Sequence, residues 1–347
     1  MFSEHVDNSW VDAFADVFSR CNITPDESVV LLTEDASRSL LVQTARLALG
    51  RLGLAHFTLH MQTVGSSGTA ILRSTGASQV LNNQTAAVHA LCQSDVVIDL
   101  TLEGLMHAPQ TAEVLRSGAR ILTVSNEHPE ALARLVPCDD DKRRVREAVA
   151  RCKAAGRMDV TSDAGTELHV DMRSAVNVGV WGWTDRPGTL AHWPAGLVVS
   201  FPAAGAVDGR LVLAPGDMNL TFKRYVESAV TLTIESDYVT AVEGSGVDAR
   251  LMRDYFASFG DREAYATSHV GWGLNPAARY EALTMYDRND CNGTELRALA
   301  GNFLYSTGAN EHAGRFTEGH FDLPVLGCDI LLDGEAVVTG GVPVASA

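Results

Sequence analysis

The chain has 347 residues, of which 46% are hydrophobic, 20% charged and 7% aromatic, which excludes disordered, collagen-like and low-complexity classes. Its 43 acidic residues against 27 basic ones leave a formal charge of -16, a field that repels nucleic-acid phosphates and anionic membranes. The six cysteines (Cys21, Cys92, Cys138, Cys152, Cys291 and Cys328) contain no C-x-x-C pair, and the first residues lack the basic-then-apolar pattern of a signal peptide. No apolar run reaches the ~18 residues of a membrane span. The expectation is a cytoplasmic protein with reduced thiols, no nucleic-acid partner and no membrane partner.

Trp10, Val11, Phe14, Val17, Phe18 and Cys21 recur at helical spacing. Val29-Val30-Leu31-Leu32 is a continuous apolar run that suits a strand buried on both faces. Asp35 and Ser37 are placed to cap a following helix that carries Leu40, Leu41, Ala45, Leu47 and Ala48. Strand-like runs return at Phe57–Leu59, Val96–Ile98 and Ile121–Val124, with helical stretches between them. This alternation predicts a mainly parallel sheet with helices on both faces. Asp139-Asp140-Asp141 opens a charged helix with Val145, Val149 and Cys152 on one face, the acidic start suiting the helix dipole.

Beyond about residue 155 the rhythm changes to strict alternation, at Thr166–Asp171 and Val230–Glu235, which reads as half-buried antiparallel strands. Glycine and proline punctuate Gly179–Gly216. An amphipathic helix follows at Leu251, Met252, Tyr255, Phe256 and Phe259, and a hairpin is predicted to turn at Asp333-Gly334. The predicted fold is an α/β domain with a mainly parallel sheet over residues 1–155, followed by a β-rich α+β domain over 156–347, which holds the histidine and acidic contexts able to bind a metal.

Common signatures are missing. Gly65-Ser66-Ser67-Gly68-Thr69 is glycine-rich but lacks the lysine of a phosphate loop, and neither G-x-S-x-G nor H-E-x-x-H occurs. Two histidine contexts stand out instead. In Ser268-His269-Val270-Gly271-Trp272-Gly273, a histidine and trailing glycines can end a strand at a cleft. In Gly319-His320-Phe321-Asp322, His320 and Asp322 point to one face of an extended segment, because side chains alternate with period two. One more histidine completes a facial set of two imidazoles and a carboxylate, the ligation of non-haem Fe(II) oxygenases, which leaves adjacent positions open. On pattern alone, H-x-D also fits a local cap beside a hydrogen-bonded core histidine. Of the remaining histidines, His56 and His60 read as a sheet end, His128 as a loop residue, His169 as solvent-facing, and His312 as the closest rival ligand.

The chain resembles the 2,5-dihydroxypyridine 5,6-dioxygenases, the ring-opening enzymes of nicotinate and related pyridine degradation. The resemblance runs over nearly the whole length. It is densest at Asp140–Val145, His192-Trp193-Pro194, Leu251–Tyr255, Ser268–Leu274, Asp287–Asp290 and Gly301–Gly308, in the family's order. It implies a mononuclear Fe(II) site held by His269, His320 and Asp322, with dioxygen and 2,5-dihydroxypyridine as substrates and N-formylmaleamic acid as product. It further implies His107 as base toward a ring hydroxyl, His192 as a pocket histidine, and Arg297 and Ser306 as polar groups that hold the ring and the oxygen species. An imidazole suits proton removal near neutral pH. His107 falls in the first domain, so it must cross the domain interface or come from a neighbouring subunit; the second is the expectation, together with a homo-oligomer. Arg297 has a plainer role open to it, pairing with Glu295 or Asp290.

The family shares its architecture with aminopeptidase T-type metallopeptidases. The competing expectation is therefore a two-metal aminopeptidase recruiting Glu281, Asp287, Glu311 or Glu318 as further acidic ligands. A non-catalytic binding protein is the third reading. Leu102-Glu103-Gly104 departs from the more apolar stretch expected before His107, which keeps another hydroxylated pyridine open as substrate. No cysteine belongs to the implied ligand set. Replacing any of the six by Ser or Ala should leave iron binding intact, measured as metal content after anaerobic loading; a folded cysteine variant that takes up no iron would contradict the set.

Overall fold

The computed structural model describes residues 5–64 and 76–344, so the Gly65–Thr69 loop lies outside the described residues. A five-stranded sheet takes its strands in the order His56–Met61, Val29–Glu34, Val96–Asp99, Arg120–Val124 and Leu190–Trp193. Every pair in it is parallel, as the alternation of helix and strand predicts. Val29 and Leu31 pack on the side of helices Asn8–Arg20 and Ser39–Arg51, while Val30 and Leu32 pack against Thr85–Cys92 and Thr111–Arg116. The apolar run is therefore covered on both faces.

Two local expectations are corrected. Helix Ser39–Arg51 has Arg38 at its N-cap and no side-chain cap. Asp35 bonds His60 Nε2 and the Thr63 N–H instead, and Ser37 Oγ donates to the Leu100 carbonyl, so both residues tie segments together at the carboxyl ends of the strands. Leu47 is 53% exposed, because Leu40, Leu41, Thr44, Ala45, Ala48 and Leu49 already define the buried stripe.

The glycine- and proline-rich stretch holds more strand than its composition suggests: Leu190–Trp193, Leu197–Phe201 and Val207–Leu213. They are short, and turns separate them, so the punctuation hides them. Leu190–Trp193 returns to complete the parallel sheet. Among the described residues, the rest of the chain builds two large antiparallel sheets and a two-stranded ladder of Met218–Asn219 with Arg224–Tyr225. One has eight strands, running from Tyr238–Glu243 at one edge through Val207–Leu213 and Arg157–Thr161 to Val342–Pro343 at the other. The hairpin at Asp333-Gly334 lies in it, both turn residues at positive φ (49° and 87°) as a tight turn of this kind requires. The other has five strands, in the order Phe321–Val325, Phe303–Thr307, Thr267–Gly273, Leu197–Phe201 and Val176–Val180.

The largest core joins these two sheets. Val160, Leu168, Leu232 and Ile330 of the first share a cluster with Val270, Tyr305, Phe321 and Leu323 of the second, joined by helices Asp139–Ala154 and Val247–Phe259. The opposite face of the five-stranded sheet carries Val180, Leu197, Val199 and Leu304. No helix among the described residues is long and apolar enough to cross a membrane. Phe256, fully buried, stacks on Tyr265 at 4.4 Å and meets Phe321 edge-on at 4.8 Å. Phe256→Ala should cost about 3–5 kcal/mol of stability in denaturant unfolding. A loss no larger than that of a surface substitution, about 0.5 kcal/mol, would contradict this packing.

Candidate active site

Three strands of the five-stranded sheet align along one row. His269 pairs with Ser306, and Ser306 pairs with Asp322. Directly opposed residues project from the same face, so the row gathers three side chains that are far apart in sequence. His320 lies two positions before Asp322, and period-two alternation delivers it to that face. The register slips between Thr267 and His269, a bulge of the kind that re-aims a side chain. The glycines after His269 serve backbone packing: a Cβ on Gly271 would lie 2.0 Å from the Val198 carbonyl oxygen, and one on Gly273 would lie 2.1 Å from that of Leu299.

Asp322 is 3% exposed, and its carboxylate is the centre of the group. Arg297 Nε donates to Oδ2 at 2.5 Å, and Ser306 Oγ donates to Oδ1. His320 Nε2 lies 3.1 Å from Oδ2 and His269 Nε2 3.7 Å from Oδ1. Burial acts to raise the Asp322 pKa, but the Arg297 guanidinium and the two imidazoles outweigh it and hold the carboxyl well below its usual range. Burial pushes His269 down to about 3. Its Nδ1 meets Ser268 Oγ at 3.0 Å, which leaves Nε2 turned toward Asp322. The His320 backbone is pinned by Tyr255, whose hydroxyl accepts from its N–H and donates to its carbonyl, and by Thr221.

A cavity of about 380 Å³ opens beside this group. Its polar end is lined by His107, His192, His269, Arg297, His320 and Asp322, and its apolar wall includes Leu190, Val199 and Leu304. His107 reaches it within its own chain, its ring centre 6.3 Å from that of His320, so the geometry requires no neighbouring subunit to bring it there. Burial, then the neighbouring His320, push His107 down to about 4. His192 closes the parallel strand Leu190–Trp193, and its Nδ1 lies 2.9 Å from the Pro194 carbonyl. Nδ1 must carry the proton there, so Nε2 is the acceptor; burial pushes this imidazole down to about 4 as well. Ser306 is fully buried and does not line the cavity; the structure brings it to the carboxylate. Arg297 pairs with Asp322, while Glu295 pairs with Arg134 and Asp290 with Arg38.

Other groups at the site have no sequence motif. The carboxyl ends of the parallel strands face the cavity, the usual place for ligands in such sheets. There Asp99, fully buried, accepts from the Thr101 N–H and hydroxyl, the Leu105 N–H and the Thr123 hydroxyl. It thereby shapes the loop that leads to His107. Glu127, from the segment after Arg120–Val124, accepts from the backbone of Asn292, Gly293 and Thr294. Burial and the nearby Glu295 push it up to about 7. An acid at a strand end and one in a loop carry no spacing signal, so only the tertiary contacts reveal these two.

The remaining histidines sort clearly. His60 pairs with Asp35, His128 accepts from the Glu130 N–H, and His169 pairs with Asp159. His312 lines the cavity against Phe201, with ring centres 5.4 Å apart. Of the acids considered for a two-metal hydrolase, Glu311 lines the cavity, whereas Glu281, Asp287 and Glu318 do not.

The donor chemistry of His269, His320 and Asp322 fits a divalent transition ion: two imidazole nitrogens stand at one ionised carboxylate that has lone pairs beyond those its hydrogen bonds use. As the side chains stand, they form a hydrogen-bonded group, and among the described residues no three His, Cys, Asp or Glu side chains close into a ligand set.

The family model for 2,5-dihydroxypyridine 5,6-dioxygenase matches residues 9–345. A 2,5-dihydroxypyridine 5,6-dioxygenase of Pseudomonas putida KT2440 is 38% identical over 340 residues, which cover 96% of this chain and 95% of that protein. A solved structure of 2,5-dihydroxypyridine dioxygenase from Pseudomonas putida KT2440 superposes with a TM-score of 0.93 at 36% identity, covering 99% of each chain. AmpT from Thermus thermophilus superposes with a TM-score of 0.58 at 14% identity, covering 97% of this chain and 99% of that one, a likeness of fold alone. With the family model spanning almost the whole chain and a close relative matching it end to end, this chain belongs to the 2,5-dihydroxypyridine 5,6-dioxygenase family.

Proposed function

We propose that this chain is a non-haem Fe(II) dioxygenase that opens 2,5-dihydroxypyridine between C5 and C6, with both atoms of dioxygen entering the product, N-formylmaleamic acid. The observation that carries the reading is the convergence of His269, His320 and Asp322 at one cavity that also presents His107, His192 and Arg297. Family membership over nearly the full chain supports it.

His269, His320 and Asp322 are the residues that would hold the ion. When bound, Fe(II) would supply Lewis acidity and redox chemistry with dioxygen. The chain's own residues supply the rest. The two ring hydroxyls are para, so they cannot chelate one ion together, and protein groups must orient the ring. Held neutral by burial, His107 can accept the proton of a ring hydroxyl, which makes the ring electron-rich. His192, which lines the cavity, has Nε2 left as the acceptor for a ring hydroxyl or the ring N–H. Arg297 sets its positive charge at the polar end of the cavity, where it favours negative charge developing on oxygen and offsets the chain's net charge of -16 locally. Ser306 serves by holding Asp322. The apolar wall excludes water from the reacting ring.

The test is oxygen uptake by protein loaded anaerobically with Fe(II), given 2,5-dihydroxypyridine and then air. One dioxygen should be consumed per ring lost, with background rates for a zinc-loaded sample and for His320→Ala, whose iron content should also fall. No uptake by a folded, iron-loaded sample overturns the reading. His107→Gln should lower kcat by about 10²- to 10⁴-fold, the usual worth of a general base, while iron content stays at the wild-type level. Unchanged turnover in this variant would remove His107 from the mechanism.

A further inference from the structure

The segment after strand Arg120–Val124 grips the segment that carries Arg297. Asn126 Nδ2 donates to the Asn289 carbonyl at 2.8 Å, and Thr294 Oγ1 lies 3.1 Å from Ser125 Oγ and 2.9 Å from Asn292 Oδ1. Between them Glu127, 1% exposed, accepts three consecutive backbone N–H groups: Asn292 at 3.1 Å, Gly293 at 2.9 Å and Thr294 at 2.7 Å. The side chains of two of these residues then hold Arg297: its Nη1 donates to Asn292 Oδ1 at 3.0 Å and to Thr294 Oγ1 at 3.3 Å. Arg297 Nε in turn donates to Asp322. A continuous path of hydrogen bonds therefore runs from the parallel sheet to the carboxylate at the centre of the site.

We propose that Glu127 is a positioning residue: by fixing the backbone of Asn292–Thr294 it sets the guanidinium of Arg297 against Asp322 and toward the cavity. The geometry stands by itself, and its consequence for turnover rests on the function proposed above. A full acceptor is required at each oxygen. Ionised, the carboxylate offers only acceptors, and its three backbone N–H partners favour that form. An amide of the same shape would put an NH₂ group against a backbone N–H, leaving a buried donor unsatisfied and pushing the segment away. Hydrogen-bond partners of metal ligands are typically worth about 10- to 100-fold in activity, and Glu127 acts through such a partner, Arg297.

The test is Glu127→Gln, read in two ways. In its crystal structure, Arg297 Nε should no longer lie within hydrogen-bond distance of Asp322 Oδ2. In the iron-loaded enzyme, kcat for 2,5-dihydroxypyridine should fall about 10- to 100-fold. Glu27→Gln, which breaks the ion pair with Arg120 away from the cavity, should leave kcat unchanged and so controls for lost stability. Arg297 still seated on Asp322 in the Glu127→Gln structure overturns the proposal, whatever turnover does, and so does a wild-type kcat. A wild-type enzyme inert toward 2,5-dihydroxypyridine would overturn the proposed function, while the structural comparison still decides this inference. Should Glu127→Gln not fold, Glu127→Asp keeps the carboxylate but withdraws it from the backbone N–H groups of Asn292, Gly293 and Thr294, and the same Arg297–Asp322 separation decides the question.

Discussion

A carboxylate taken out of water must be compensated, and much of the site's construction follows from the burial of Asp322. An isolated buried charge is too costly to persist; it survives only when paired and hydrogen-bonded. Arg297 supplies the opposite charge, Ser306 a neutral donor, and His269 and His320 two imidazoles at the same oxygens. The compensation overshoots burial, so the group stays ionised. A divalent ion takes its carboxylate ligand in the ionised form, so the arrangement that keeps Asp322 charged suits the metal role proposed for it.

That arrangement depends on two kinds of sheet meeting. The antiparallel sheet supplies the row His269–Ser306–Asp322, where cross-strand register places residues from three strands side by side. The parallel sheet supplies its carboxyl ends, where the loops after Asp99 and Val124 and the strand-end His192 face the cavity. Neither sheet makes the site alone. Buried polar residues join them: Glu127 holds the backbone of 292–294, and the Arg134–Glu295 pair lies alongside. Such contacts are specific in direction, so they orient the two layers in a way that apolar packing, which is non-directional, does not.

Much of the fold can be read from residue patterns because those patterns report local geometry. Val29–Leu32 reads as a doubly buried strand, and it is one. The alternation at Val230–Glu235 and the Asp333-Gly334 turn are equally direct. The strands within Gly179–Gly216 are not legible, since runs of four to seven residues, one of them interrupted by Gly209, leave too short a period to detect. The cap expected at Asp35 fails for a different reason: a tertiary partner, His60, competes for the same carboxylate.

At the site, the H-x-D spacing of His320 and Asp322 is visible in the sequence because period two is a property of the extended chain itself. The sequence thus determined the strand types, the glycines behind His269 and the residue classes able to bind a metal ion, while family resemblance pointed to His107, His192, Arg297 and Ser306. Tertiary structure alone decided how they meet. It seated Ser306 behind the carboxylate and brought His107 to the cavity within its own chain. It also set Asp99 and Glu127 as the anchors of two loops. The physical reason is that a hydrogen bond between residues distant along the chain leaves no periodicity behind: its partners are set by how the layers pack, and any common polar residue can occupy either end.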